Sequence, residues 1–93
     1  MQKIFNFYQD ASHGWVKVPF SLIKELGIEK NISCHSYWRK GQVYLEEDCD
    51  FGKFCKALKE KKQFTITEQN INPFHTDRTS KIRSYEMYNK EIA

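Results

Sequence analysis

The residues best equipped for chemistry lie in one short acidic run. Glu46-Glu47-Asp48-Cys49-Asp50 sets four carboxylates within five positions, and hard divalent cations such as Mg²⁺ and Ca²⁺ take oxygen ligands of this kind. The Asp-x-Asp-x-Asp-Gly spacing of a calcium loop is absent. An acidic residue just ahead of an amphipathic stretch has a simpler use, accepting hydrogen bonds from the open N–H groups at a helix start. The run is therefore expected to cap a helix with a solvated outer face, with an acidic contact patch as its alternative use.

Cys34, His35, Cys49, Cys55, His13 and His75 include every residue type of a zinc site. Structural zinc sites pair their ligands about two to four residues apart, whereas Cys49 and Cys55 are six apart. Cys55 also falls on an apolar helical stripe, where a free thiol packs as a small hydrophobe. Adjacent residues of a strand point to opposite faces, so Cys34 and His35 cannot activate each other. The chain has no Gly-rich phosphate loop, no Gly-x-Ser-x-Gly elbow and no His-Glu-x-x-His. No metal, cofactor or catalytic group is expected, and the chain reads as a non-enzyme. The enzymatic alternative would join His13 or His75 to the acidic run.

Binding is better represented. His13-Gly14-Trp15 reads as a loop whose glycine needs unusual φ and whose indole anchors the edge of the core; an exposed Trp there would be an interaction hot spot. Near the C-terminus, His75, Arg78, Lys81, Arg83, Tyr85 and Tyr88 interleave cations with rings, a mixture that can hold phosphates and stack on bases. The simpler expectation is that Ile82, Tyr85 and Tyr88 pack on a sheet while the charges stay wet.

The elements that must position these groups follow from pattern. Alternation over Ile4 to Tyr8 and over Trp15 to Val18 predicts two strands. Pro19 suits a helix start, Leu22, Ile23 and Leu26 form its stripe, and Gly27 with Ile28 closes it. Ile32 to Trp38 and Gln42 to Glu46 predict a hairpin around a three-residue Arg39-Lys40-Gly41 loop. Phe51, Phe54, Cys55 and Leu58 fall at i, i+3, i+4 and i+7, the pattern of an amphipathic helix, with Lys59, Lys61 and Lys62 at its end. Phe64 to Thr67 alternates as a last strand, and Asn70-Ile71-Asn72-Pro73 reads as a turn. The expected fold is α+β, a small antiparallel sheet with two helices on one face in the order ββαββαβ. One domain spans 1–93, with its core in 1–68 and an irregular C-terminal extension over 69–93.

Composition bounds the rest. The 93 residues carry a net charge of +3 from 15 basic and 12 acidic side chains, with seven Phe, five Tyr and two Trp. That balance excludes a mimic of DNA charge, which must be strongly acidic, and weakly favours anionic partners. Three cysteines without Cys-x-x-Cys spacing, and no apolar run of signal or membrane-span length, read as reduced thiols in a cytoplasm.

His13-Gly14-Trp15, Val18-Pro19, Leu26-Gly27-Ile28, Ser33 to Tyr37, Tyr44 to Asp50 and Asp77 to Tyr85 are motifs by which the chain resembles a family of small proteins on bacterial chromosomes, plasmids and phages, a domain of unknown function. The resemblance spans nearly the whole chain and implies a setting without a mechanism: an accessory protein of a mobile element that acts by binding. The expected partner is a host or defence protein, and one form of that role is inhibition of a host defence nuclease such as a CRISPR effector, by contact on a protein surface or nucleic-acid channel. His13, Trp15, Trp38, Tyr44 and the Arg78 to Tyr88 segment are the expected contacts. Nucleic acid bound by the basic-aromatic segment is the alternative ligand; a membrane is not expected, and an open Trp- and Tyr-rich sheet face would also suit a homodimer.

Overall fold

A computed structural model describes residues 1–89 of the chain. Residues 90–93, the end of the expected C-terminal extension, lie outside the described residues. The alternating stretches form β1 (Phe5–Gln9) and β2 (Gly14–Pro19), an antiparallel pair with Phe7 opposite Val16 and Gln9 opposite Gly14. Pro19, at φ −59°, leads directly into α1 (Phe20–Glu25). That helix ends where Gly27 takes φ +72°. The N–H of Gly27 donates to the Lys24 carbonyl at 3.0 Å and that of Ile28 to the Ile23 carbonyl at 3.3 Å, the two bonds of a glycine-terminated helix end.

β3 (Tyr37–Arg39) and β4 (Gln42–Glu46) form the expected hairpin. Arg39 pairs with Gln42, so the loop is the two residues Lys40-Gly41 and not three. Both have positive φ, 49° and 78°, as a type I′ turn requires for the twist of its strands. β3 is also shorter than its pattern. Ile32 is buried in the core, but Ser33 to Ser36 make a turn, closed by the Ser36 N–H on the Ser33 carbonyl at 3.3 Å.

The reason is Asp50, the first residue of α2 (Asp50–Lys62) and fully buried. Its carboxylate accepts from the Ser33 N–H at 3.0 Å, the Ser33 hydroxyl at 2.6 Å and the Ser36 hydroxyl at 2.5 Å, with Lys53 Nζ at 3.1 Å. Burial alone would raise this carboxyl's pKa, but the hydrogen bonds outweigh it and hold the group below its ordinary value. The acidic run therefore does not cap the helix as expected: Cys49 stands at the cap with no side-chain bond, and Asp50 serves as the hub of the preceding turn.

The expected strand at Phe64 to Thr67 is absent. Gln63 ends α2 in the left-handed region at φ 51°, and Phe64 and Ile66 pack half-buried against the core as irregular chain. The fifth strand comes later, at β5 (Ile71–His75), where a turn was expected. Asn70 steers it: its side chain accepts from the Thr67 N–H at 2.8 Å and donates to the Lys3 carbonyl at 2.9 Å. β5 then runs parallel to β1, Phe5 beside Ile71 and Gln9 beside His75. Pro73 is tolerated because β5 is an edge, where a missing donor can face outward. β6 (Glu86–Met87) pairs with β3 at the other edge.

The result is an α+β fold, one six-stranded sheet in the order β5-β1-β2-β4-β3-β6, antiparallel except for β5 and β1, with two helices. Val16, Val18, Val43 and Leu45 meet Leu22, Ile23, Phe54 and Leu58 in the main core, where Phe5 and Phe54 lie edge to face at 5.5 Å. A second core covers the helix-free face, with Trp15, Tyr44 and Ile82 buried and Tyr8, Tyr37 and Tyr85 around them. The C-terminal extension thus supplies two edge strands and a covering layer, and is not an irregular appendage. No helix among the described residues is long and apolar enough to cross a membrane.

The left-handed Lys40 carries a strain that Asn bears with less cost in a type I′ turn. Lys40→Asn is expected to stabilise by about 0.5–1 kcal/mol, a rise of roughly 2–8 °C in Tm, readable by thermal denaturation. An unchanged or lower Tm would remove this account of the turn.

Candidate functional site

Period-two alternation sends one set of side chains to the face away from the helices: Tyr8 from β1, Trp15 and Lys17 from β2, Tyr37 from β3, and Tyr44 and Glu46 from β4. Rings make a row across this face. Phe74 of β5 stacks on Tyr8 at 5.1 Å, Tyr8 lies 6.3 Å from Tyr44, and Tyr44 lies 5.0 Å from Tyr85. Arg39 closes the row over the Tyr85 ring at 5.0 Å.

The segment between β5 and β6 crosses this face as a strap, and Asp10 holds it there. Asp10 is 4 % exposed. Its Oδ1 accepts from the N–H groups of Ser12 and His13 at 3.0 and 2.9 Å, which shapes the β1–β2 loop. Its Oδ2 accepts from the Ser80 N–H at 3.1 Å and Arg83 Nε at 2.7 Å, and Arg83 Nη2 reaches Oδ1 at 3.2 Å. Arg83 first, then the loop N–H groups, hold this carboxyl far below the usual range against the opposing effect of burial. The same guanidinium lies 5.2 Å over the Trp15 ring. Within the strap, the Ile82 N–H donates to the Ser80 hydroxyl at 3.2 Å, which fixes the short turn that buries Ile82.

Between strap and strands lies a groove of about 500 Å³. Lys17, Arg78 and Lys81 bring three cations to it, Tyr8, Tyr44 and Tyr85 three phenols, and Thr76, Thr79 and Ser80 hydroxyls and backbone; no carboxylate lines it among the described residues. Asp77, within the strap, sits instead 3.3 Å from His75 Nε2. Burial, with Tyr85 and Tyr8 beside it, raises the pKa of Tyr44, so its hydroxyl keeps its proton at neutral pH.

No protein-family model, curated protein or solved structure matches the chain. Function has to be read from the geometry itself, and the geometry sorts the expected contacts. Trp15 and Tyr44 are buried beneath the strap and Tyr88 in the main core, so none of the three offers the open ring expected of a contact. Tyr88 donates to the Glu29 carbonyl at 2.5 Å, and burial, then Glu29 and Asp50, push its phenol up to about 12. Trp38 packs half-buried against the main core, and Arg83 is committed to Asp10. Arg78, Lys81 and the half-buried Tyr85 do line one groove, and His13 is exposed in the loop just before β2. Lys17, Tyr8 and Phe74 belong to the same face and were missed as contacts; their place on alternating strands was the available signal.

The His13-Gly14-Trp15 motif has separate structural reasons at each position. A Cβ on Gly14 would collide with the Phe7 ring, so the glycine is needed for close approach and not for φ. The β2–β4 ladder pairs Trp15 with Glu46, and continuing that register sets His13 opposite Asp48. His13, Glu46 and Asp48 accordingly bring ligand atoms within 4.8 Å of one another, a grouping hidden from spacing arguments because it joins two loops. Glu47, between two of these acids, has its carboxyl pKa raised by burial and then by Asp48 and Glu46.

Asp10→Asn should destabilise the protein by about 2–4 kcal/mol, because Arg83 keeps a costly position without its counter-charge, which corresponds to at least roughly 8 °C in Tm. A carboxylate with a depressed folded pKa stabilises above its unfolded value near 4, and that stability is lost as pH falls. The gap in Tm between wild type and variant is thus expected to be full at pH 6 and to narrow below about pH 4. A gap that did not vary between these conditions would show that the charge is not what matters.

Proposed function

We propose that the chain is a non-enzymatic binding module whose contact surface is the helix-free face of its sheet, and that the ligand best suited to this face is a single-stranded nucleic acid. The observation that carries this reading is the lining of the groove under the strap: Lys17, Arg78 and Lys81 beside the half-buried rings of Tyr8 and Tyr85, with no carboxylate among the described lining residues. Cations track a phosphate backbone, and ring faces accept any base. Phe74, 46 % exposed and stacked on Tyr8, extends the groove with a flat ring at the sheet edge. A helix-backed sheet whose other face carries partly exposed rings at a groove and an edge also suits single strands better than duplex, whose bases are already stacked.

Binding of a labelled single-stranded oligonucleotide, followed by fluorescence anisotropy, tests this. Three released counterions give a slope of about −2 for log affinity against log salt on a single strand, and Lys81→Glu with Arg78→Ala should flatten the slope and weaken binding. Affinity absent even at low salt, or a slope untouched by the double variant, would end the reading.

A second reading, contact with a protein, draws on a different observation. Phe74 and Met87 stand 46 % and 59 % exposed on the two opposite edge strands, where an apolar contact can meet the sheet. The accessory role implied by the resemblance, inhibition of a host defence nuclease such as a CRISPR effector, belongs here. Capture from host lysate that survives both nuclease treatment and raised salt supports it, and capture lost with the nucleic acid returns the case to the groove.

A further inference from the structure

Beyond the Trp15–Glu46 pair, the β2–β4 ladder runs out into two loops that converge. His13 leaves the first and Asp48 the second, and Glu46 is the last residue of β4. All three offer a ligand atom within 4.8 Å of the others. Both backbones are fixed: the His13 N–H is held by Asp10 at 2.9 Å, and the Glu46 N–H donates to the Ser36 hydroxyl at 3.0 Å. Glu46 is 9 % exposed, while the other two donors are exposed. Imidazole and carboxylate ligands sit about 2.0–2.2 Å from zinc, so around a tetrahedral ion their atoms are about 3.4 Å apart. Rotation of the exposed His13 and Asp48 side chains covers that difference without moving the sheet.

A cavity of about 600 Å³ is lined by His13 and Glu46 together with Trp15, Cys34, His35, Cys49 and the Arg83 guanidinium that Asp10 neutralises. Trp15 is 2 % exposed, and among the described residues its indole N–H has no hydrogen-bond partner.

We propose that His13, Glu46 and Asp48 form a binding site for a divalent first-row transition ion, with the fourth position left to water. One imidazole and two carboxylates make a mixed nitrogen–oxygen donor set, which suits Zn²⁺, Mn²⁺ or Co²⁺ better than the all-oxygen preference of Mg²⁺ or Ca²⁺. Three protein ligands leave one position of a four-coordinate ion to water, unlike the four-ligand closed sites of structural zinc. This inference is independent of the groove, since no residue of the three lines it.

The test is titration of the chelator-stripped full chain with Zn²⁺ by calorimetry, and with Co²⁺ by absorption. The expected result is one ion per chain, with His13→Ala and Asp48→Asn each weakening affinity by at least about tenfold, the loss that even an outer-shell change can cause. Both positions are exposed, so circular dichroism should show the fold retained. Cys34→Ser with Cys49→Ser should leave Zn²⁺ affinity in place, and the Co²⁺ spectrum should lack a thiolate charge-transfer band. Weak binding without stoichiometry, binding indifferent to His13→Ala and Asp48→Asn, or binding that vanishes only with the two cysteines would each overturn the proposal.

Discussion

A charged group buried in a small domain must be nearly saturated with hydrogen bonds, and Asp10 shows how much can be built around that demand. Its two oxygens accept from Ser12, His13, Ser80 and Arg83, residues that belong to the first hairpin and to the far end of the chain. Each donor gained by the carboxylate orders a piece of structure: the β1–β2 loop on one side, the start of the strap on the other. Arg83 then lies over Trp15, and the turn that follows Ser80 sets Ile82 against the same ring system. Without the carboxylate the strap has no charged anchor on the sheet, the second core loses its lid, and the groove lined by Lys81 and Tyr85 loses one wall. His13, held by the same oxygen, would lose its position as well.

Asp50 repeats the device on the helix side, with two serines in place of an arginine. It gathers Ser33 and Ser36 and hands the Ser36 hydroxyl on to the Glu46 N–H, so the start of α2, the turn before β3 and the end of β4 share one network. A cap on the helix would have satisfied one or two open N–H groups worth about 1 kcal/mol each. A buried carboxylate with several donors instead fixes three elements against one another, at the cost that loss of any one partner leaves a polar group stranded. The local structure of the acidic run follows from that choice: Asp50 turns inward and Asp48 stays outside.

These two hubs also mark the boundary of what the sequence discloses. Strands with period-two alternation, the Phe54 to Leu58 stripe, and the Pro19 and Gly27 helix limits were all legible, because each depends on residues close together along the chain. The strand at 71–75 was not, since Asn and Pro carry turn preference and only its position at an edge makes them acceptable. The irregular course of Phe64 to Thr67 was hidden for the converse reason: its alternation serves burial on the core and no strand lies ready beside it. Arg83 read as a free cation because its partner is 73 positions away, and Trp15 and Tyr44 read as contacts because the layer covering them is made by the least patterned part of the chain. Pairings of that range leave no periodic trace. Among the candidate binding groups, those on the strap could be picked out by composition; Lys17, Tyr8 and the His13–Asp48 juxtaposition needed strand register.

The parallel pairing of β1 with β5 has a consequence for the birth of the molecule. β1 is an interior strand of the finished sheet, and the neighbour on one of its sides is encoded far along the chain, at Ile71–His75. Closing a loop of that length costs on the order of 4 kcal/mol of chain entropy before the contact returns anything, and contacts so distant along the chain slow folding. Throughout most of translation the nascent β1–β2 hairpin therefore carries an unpaired edge, with Phe5 and Phe7 uncovered. Until β5 is made, that edge is open to wrong pairing, so translation speed and chaperones bear on yield alongside the stability of the completed fold.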